Sequence, residues 1–161
     1  MDVYEKYRLL TEKLIASGLT AATAESCTSG TVASLITDTP GASAVLKGAF
    51  TVYCNEAKEL IGVDAGVINT FGVYSEETAR ELARVCRGFY GSDIGIGVTG
   101  TFSETDTANP DSVPGKVHFA ISIKDSVYSY TESGISGDTR RQMKLTVAEM
   151  IADRLLILLD K

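Results

Sequence analysis

Apolar residues recur along this chain at two periods, and the switches between them mark out its elements. Val3, Tyr7, Leu10 and Leu14 fall at helical spacing, which predicts a first helix ended by Gly18. A short strand follows over 20–25, then a helix over 28–37 that the Pro40-Gly41 turn ends. Residues 44–53 read as a second strand, with a short helix over 55–61 behind it. Over 75–90 the pattern is helical again, with Ala79, Leu82, Ala83 and Cys86 on one face. Ser75 and Thr78 give that helix a capping-box start in which Thr78 replaces the usual glutamate. Glycine alternates with isoleucine and valine over 93–98, which suits a buried strand closely approached by another backbone. Strands over 117–123 and 127–131 flank Lys124-Asp125-Ser126, and Met143, Val147, Met150, Ile151, Leu155, Leu158 and Leu159 form the stripe of a long closing helix.

Interleaved strands and helices predict a single α/β domain over 1–161, a three-layer α/β/α sandwich with a mixed, mostly parallel sheet. The tight reversal between the strands at 117–123 and 127–131 requires at least one antiparallel pair. Residues 99–114 are the one long irregular segment. Their polar character and two prolines, Pro110 and Pro114, mark a loop of a length that is often functional.

Composition narrows the function classes. The 161 residues are 44% hydrophobic and 22% charged, ordinary for a soluble globular domain with one core. No apolar run approaches the roughly 20 residues that span a bilayer, so no membrane partner is expected. The start, Met-Asp-Val-Tyr-Glu-Lys, opens an amphipathic pattern without signal-peptide form, and a cytoplasmic location is expected. A net charge of −6 argues against nucleic-acid binding and requires any anionic ligand to find its counter-charge in a few local groups. Cys27, Cys54 and Cys86 are odd in number and lack CxxC spacing, so neither a disulfide framework nor a zinc site is expected. His118 is the only histidine, which excludes a His-rich metal centre. No metal and no cofactor are expected.

Candidate chemistry gathers in two segments. Residues 23–30, Thr-Ala-Glu-Ser-Cys-Thr-Ser-Gly, join a strand to a helix through small hydroxyl residues, placing Ser26 or Thr28 at a helix N-terminus. Free backbone N–H groups there favour an anion or a developing oxyanion. The second segment, Tyr53-Cys-Asn-Glu-Ala-Lys58, offers groups able to serve a hydroxyl nucleophile. A serine hydroxyl needs a base to take its proton. A lysine qualifies only when burial or a positive neighbour lowers its usual value near 10.4. Lys58 is the candidate, one helical turn past Asn55 with Tyr53 just upstream.

Each residue also has a plainer reading. Ser26 or Thr28 serves equally as a helix cap worth about 1 kcal/mol, Lys58 as a solvated helix lysine, Tyr53 as a strand aromatic and Asn55 as a cap. Cys27 fits a small buried thiol better than a nucleophile, and His118, in an alternating strand, fits a structural role. The Gly95-Ile-Gly97-Val-Thr-Gly100 run lacks the spacing and following helix of a dinucleotide fingerprint.

Four motifs occur in order along the chain. They are Ala24-Glu25-Ser26-Cys27-Thr28-Ser29-Gly30, Asp38-Thr39-Pro40-Gly41-Ala42-Ser43, the Gly48 to Lys58 stretch with Tyr53 and Asn55, and Gly97-Val98-Thr99-Gly100. Together they resemble the C-terminal domain of the CinA family, the nicotinamide mononucleotide (NMN) deamidases, over nearly the whole chain. The family's N-terminal domain has no counterpart in these residues, so the resemblance implies a stand-alone deamidase-type domain. It implies a nicotinamide-nucleotide amidase, hydrolysing the NMN carboxamide to nicotinate mononucleotide and ammonia in pyridine-nucleotide salvage. Ser26 would be the nucleophile, Lys58 its general base, and Tyr53 a group that polarises or relays a proton. Backbone N–H groups of Cys27, Thr28, Ser29 and Gly30 would form the oxyanion hole. Asn55, Thr99, Gly100 and Thr101 would meet the substrate, and Arg140 and Lys144 would hold its phosphate or simply form a solvated helix turn. A homo-oligomer is also implied.

The chain departs from the family pattern in three places. Ser29 replaces the first of two glycines. The loop after Gly100 carries Glu104 and Asp106 where the family is glycine-rich, adding charge that would oppose a phosphate unless both point away. One inserted residue is needed before Arg140 to align Gly137-Asp138-Thr139-Arg140 with the family's G-D-R. Two other readings remain: a nucleotide-binding module of the same fold without turnover, and an amidase for another small carboxamide.

Overall fold

Helix Glu76–Tyr90 lies almost in backbone contact with strand Ile94–Gly100, and the strand's glycines are the reason. A Cβ at Gly95 would fall 2.0 Å from the Ala83 carbonyl oxygen, and one at Gly97 would fall 2.3 Å from that of Ala79. The alternation read from the sequence is therefore a helix seat. The computed structural model describes residues 1–161. In chain order the elements are α1 (Val3–Ser17), β1 (Ala21–Glu25), α2 (Thr31–Thr37), a 3₁₀ turn (Ala42–Ala44), β2 (Leu46–Thr51), α3 (Asn55–Leu60), α4 (Ala65–Phe71), α5 (Glu76–Tyr90), β3 (Ile94–Gly100), β4 (Val117–Ile123), β5 (Ser126–Glu132) and α6 (Arg140–Leu159).

The sheet is mixed and open, ordered β2-β1-β3-β4-β5. β1 pairs in parallel with both β2 and β3, and β4 runs antiparallel to its neighbours β3 and β5. Four strands thus point one way and β4 is reversed. Alternation along β3 and β4 assigns the two faces. Ile94, Ile96 and Val98, with Val117, Phe119 and Ile121, join the large core beneath α1, α2 and α6. Ala22 and Ala24 of β1 turn to the other face, packing with Leu82 and Cys86 of α5 and with Val63, Ile68 and Val73 around α4. Helices cover both faces, giving the three layers that the interleaving predicts. No helix is long and apolar enough to cross a membrane.

Three local differences from the sequence pattern matter. Helix α2 begins at Thr31 rather than 28, because Ser29 and Gly30 hold left-handed conformations at φ 45° and 92° that a helix cannot continue through. Helix α4 lay in a stretch for which the pattern gave no element. Ser75 caps α5 by accepting the Thr78 N–H, but the Thr78 hydroxyl donates to the Gly72 carbonyl, so only half of the capping box forms. His118 is structural as expected. Its Nδ1 meets the Thr131 hydroxyl at 2.9 Å, and Thr131 donates to Glu76 of α5.

The C-terminal ends of β1, β2 and β3 open at one edge of the sandwich. Open α/β sheets bind ligands in that position.

Candidate active site

The chain leaves β1 at Glu25 and enters a tight turn, 26–30, before α2. Glu25 is fully buried and holds this turn in place. Its two carboxylate oxygens accept the N–H groups of Val32 and Ala33, at 2.9 and 3.1 Å, and the Thr23 hydroxyl donates to one of them. The first free donors of α2 are therefore spent inside the protein, which corrects the expectation that Ser26 or Thr28 sits at the helix N-terminus. Ser29 N–H and Thr31 N–H are also used, by the carbonyls of Ser26 and Thr28. Of the turn's N–H groups, those of Cys27, Thr28 and Gly30 donate to no backbone carbonyl, and the first two lie against the Cys27 sulfur. Ser29, where the family has glycine, keeps the left-handed backbone, and its hydroxyl accepts from the Lys144 ammonium at 2.6 Å.

Lys58 reaches this turn from the neighbouring strand end. The backbone stays extended through Cys54 and only then coils into α3, which lets the Lys58 side chain reach back to Ser26 beyond the end of β1. Lys58 is 2% exposed, and its Nζ lies 3.4 Å from Ser26 Oγ and 3.3 Å from the Val52 carbonyl oxygen. The ion pairs of the chain all lie elsewhere. Burial pushes the Lys58 amine below its ordinary value, against a smaller opposing pull from Cys54, Cys27 and Asp106. Ser26 is itself buried, with its N–H on the Val98 carbonyl, and faces a lysine biased toward the neutral form. That pairing can take a proton from a serine hydroxyl.

Above Ser26 opens a cavity of about 300 Å³, walled by Tyr53, Tyr74, Phe102, Glu104, Asp106 and Arg140. Gly100 and Thr101 line it as expected, and the Thr101 hydroxyl donates to Val113 across the loop. Arg140 closes one side. It donates to the Tyr53 hydroxyl and to Ser103 Oγ, both at 3.3 Å, and lies 5.6 Å over the Phe102 ring. On the far side of Arg140 a second cavity, of about 550 Å³, is lined by Ser29, Gly30, Arg141 and Lys144. Arg140 and Lys144 thus share a face at the start of α6 and point toward the turn that carries Ser26.

Other expected residues fall outside the cavity. Thr99 is buried, and its hydroxyl donates to the Val73 carbonyl, tying β3 to the start of α5. Asn55 exchanges amide hydrogen bonds with Asn109 at 3.0 and 3.3 Å, so it pins the loop rather than lining the Ser26 cavity. The Cys27 thiol is pushed up to about 12 by burial and is no nucleophile at neutral pH. The Thr28 hydroxyl is buried with no hydrogen-bond partner.

Three contributors had no role assigned from sequence. Glu25 carried a signal, an acid at a strand end immediately before the hydroxyl cluster. Tyr74 and Phe102 carried none, since both reach the cavity from irregular segments. Tyr74 donates to Asp106, which also accepts from Asn109 Nδ2 at 2.8 Å and the Ala108 N–H at 3.0 Å. Those bonds hold the Asp106 carboxyl below its usual range, while burial pushes the Tyr74 hydroxyl up.

With this geometry in view, a family model described as "CinA C-terminal domain" matches residues 5–158. A CinA-like protein of Geobacter sulfurreducens is 38% identical over 152 residues, covering 92% of this chain and 36% of that protein. The chain therefore spans about a third of the length of that relative. A competence or damage-inducible protein from Enterobacter asburiae superimposes with a TM-score of 0.90 at 27% identity, covering 99% of both chains. A competence/damage-inducible protein from Agrobacterium tumefaciens gives 0.86 at 28% identity, covering 100% of this chain and 97% of the other.

Proposed function

This chain belongs to the CinA C-terminal domain family, and from that premise we propose that it is a Ser–Lys amidohydrolase of the NMN deamidase type. One observation carries the chemical part of the reading. A buried lysine without a carboxylate partner stands 3.4 Å from a buried serine hydroxyl at the floor of a cavity.

In this mechanism neutral Lys58 takes the Ser26 proton as Ser26 Oγ attacks the carboxamide carbon. The developing oxyanion is received by N–H groups of the turn that donate to no backbone carbonyl, those of Cys27, Thr28 and Gly30. The tetrahedral intermediate collapses as the Lys58 ammonium protonates the leaving nitrogen, which departs as ammonia and leaves an ester on Ser26. A water deprotonated by Lys58 then attacks the ester. The acid is released and Ser26 regains its proton. Tyr53, bonded to Arg140, sits beside the cavity to orient the amide. The nucleotide part of the reading is supported by the cations at the start of α6. Arg140, Arg141 and Lys144 collect beside the Ser26 turn and could hold a phosphate.

Ammonia release from NMN, measured with the unmodified protein and with Ser26→Ala, tests the reading. Loss of a general base lowers kcat by about 10²–10⁴-fold and loss of a nucleophile by up to about 10⁶-fold, so turnover is expected to fall by about 10³-fold or more in Ser26→Ala. Turnover unchanged in Ser26→Ala would remove Ser26 from the chemistry. Hydrolysis of another small carboxamide but not NMN would keep the mechanism and reassign the substrate. A folded protein that hydrolyses neither would favour the non-catalytic module.

A further inference from the structure

Three charged side chains line the Ser26 cavity, the carboxylates of Glu104 and Asp106 and the guanidinium of Arg140. Glu104 and Asp106, on the loop after β3, form the wall that also carries Tyr74 and Thr105. The cations Arg141 and Lys144 lie beyond Arg140, in the neighbouring cavity, with the single carboxylate of Asp38. Neither Glu104 nor Asp106 is neutralised inside the chain, since all its ion pairs lie elsewhere. The partners of Asp106 are neutral: the Tyr74 hydroxyl, the Asn109 amide and the Ala108 N–H. Arg140 donates to two neutral hydroxyls, those of Tyr53 and Ser103, and pairs with neither carboxylate. Lys58, the other nitrogen base at the site, is biased toward its uncharged form. The cavity over Ser26 therefore carries two carboxylates against one guanidinium, and three aromatic rings, Tyr53, Tyr74 and Phe102, stand around it.

Carboxylates with electron-rich ring faces make a receptor for a positive charge. A neutral ring entering the same space would cover the carboxylates without compensating them, which is a cost against it. We propose that this wall selects carboxamides carried on a cationic aromatic ring over neutral rings of the same shape, with Glu104 as the specificity-determining residue. The inference rests on the amidohydrolase reading of the Ser26 site and goes beyond it in saying what the acidic loop does. Glu104 is singled out because it is exposed at the cavity and makes no hydrogen bond to the rest of the chain, so a ligand can engage it freely. Asp106 is already committed to ordering the loop. At the sequence level these acids opposed a phosphate. In the folded chain both line the Ser26 cavity, and Arg141 and Lys144 lie on the other side of Arg140.

Ser26→Ala protein, which should bind without turning over, permits a direct test by calorimetry. NMN carries a cationic ring. Its 1,4-dihydro form keeps the ribose, phosphate and carboxamide on a neutral ring. The expected result is preferential binding of NMN, with Glu104→Gln weakening NMN by about fivefold, the scale of one partly exposed charge contact, and the dihydro form by less than twofold. Glu104→Asp, which keeps the charge, should retain most of the preference. Equal affinity for the two forms, or equal weakening of both by Glu104→Gln, overturns the inference while the amidohydrolase reading stands on its own turnover assay. Binding of neither form overturns the inference and the NMN assignment together. Because Glu104 lies on an exposed loop, an unchanged circular dichroism spectrum in each variant ties these outcomes to the side chain.

Discussion

Replacing Lys58 with methionine should make the protein more stable while abolishing its activity, and the gap in stability should depend on pH. Lys58 is almost wholly buried, yet its amine has two contacts, at 3.4 Å to Ser26 Oγ and 3.3 Å to the Val52 carbonyl. An ammonium has three protons to place, so the charged form would be left under-satisfied. Methionine keeps the unbranched stem and removes the polar end. A buried, under-satisfied polar group costs about 1–3 kcal/mol, and orphaning the Val52 carbonyl returns part of that. The net gain at pH 7 should then be about 1–2 kcal/mol, or roughly 2–8 °C in Tm for a domain of this size. The folded-state value for Lys58 lies below the ordinary 10.5. Between the two values the unfolded chain binds more protons, so wild-type stability rises with pH across that window. The advantage of Lys58→Met should therefore be largest at pH 7 and shrink toward pH 10.5, while the loss of the Val52 contact stays constant. Thermal unfolding of both proteins at pH 7 and 10, beside an amidase assay, measures this. A stability difference that does not change with pH would refute the claim that burial lowers the Lys58 amine.

Three further outcomes follow from the same contacts. Asp106→Asn removes a negative charge that holds Lys58 up, so the acid limb of the kcat/KM–pH profile should move to lower pH; a limb that stays put would show that Asp106 has no electrostatic hold on the base. Gly97→Ala should lower stability by about 3 kcal/mol, roughly 6–12 °C in Tm, because its Cβ would fall 2.3 Å from the Ala79 carbonyl oxygen; a differential scanning measurement within 2 °C of wild type would contradict the backbone-close packing of α5. Glu25→Gln exchanges an acceptor for two donors facing N–H groups and should cost about 2–3 kcal/mol. It should also lower kcat, because the displaced turn carries Ser26, and unaltered kinetics in a folded variant would separate Glu25 from the site.

The fold was largely legible because its helices and strands bury by period. Val3, Tyr7, Leu10 and Leu14, picked out by spacing alone, are with Thr11 the residues α1 buries. Helix α4 escaped because its seven residues bury only Ile68, too little to establish a period. The start of α2 was misplaced because the pattern of apolar residues does not record backbone handedness. Ser29, unlike glycine, gives no warning that it adopts a positive φ. Strand order was not legible either, since β1 lies between partners that follow it at very different distances along the chain.

The site separates into what a motif can carry and what only the fold can supply. Ser26 and Lys58 were paired as candidates only through the family resemblance, and nothing in the sequence marks Lys58 as buried. A lysine between two glutamates on a short helix reads as solvated, and Glu56 and Glu59 do face outward while the lysine turns in. Burial comes from the way α3 starts immediately beyond β2, which lets the Lys58 side chain reach back to Ser26 beyond the end of β1. The acidic loop makes the same point for charge. Along the chain, Glu104 and Asp106 count only as negative residues in a protein that already has a net charge of −6. In space Arg140 divides them from Lys144 and Arg141, with Tyr53 and Ser103 holding the divider in place. Two opposite charges on one ligand can then be met at two ends of one site, which the net charge of the chain could neither reveal nor forbid.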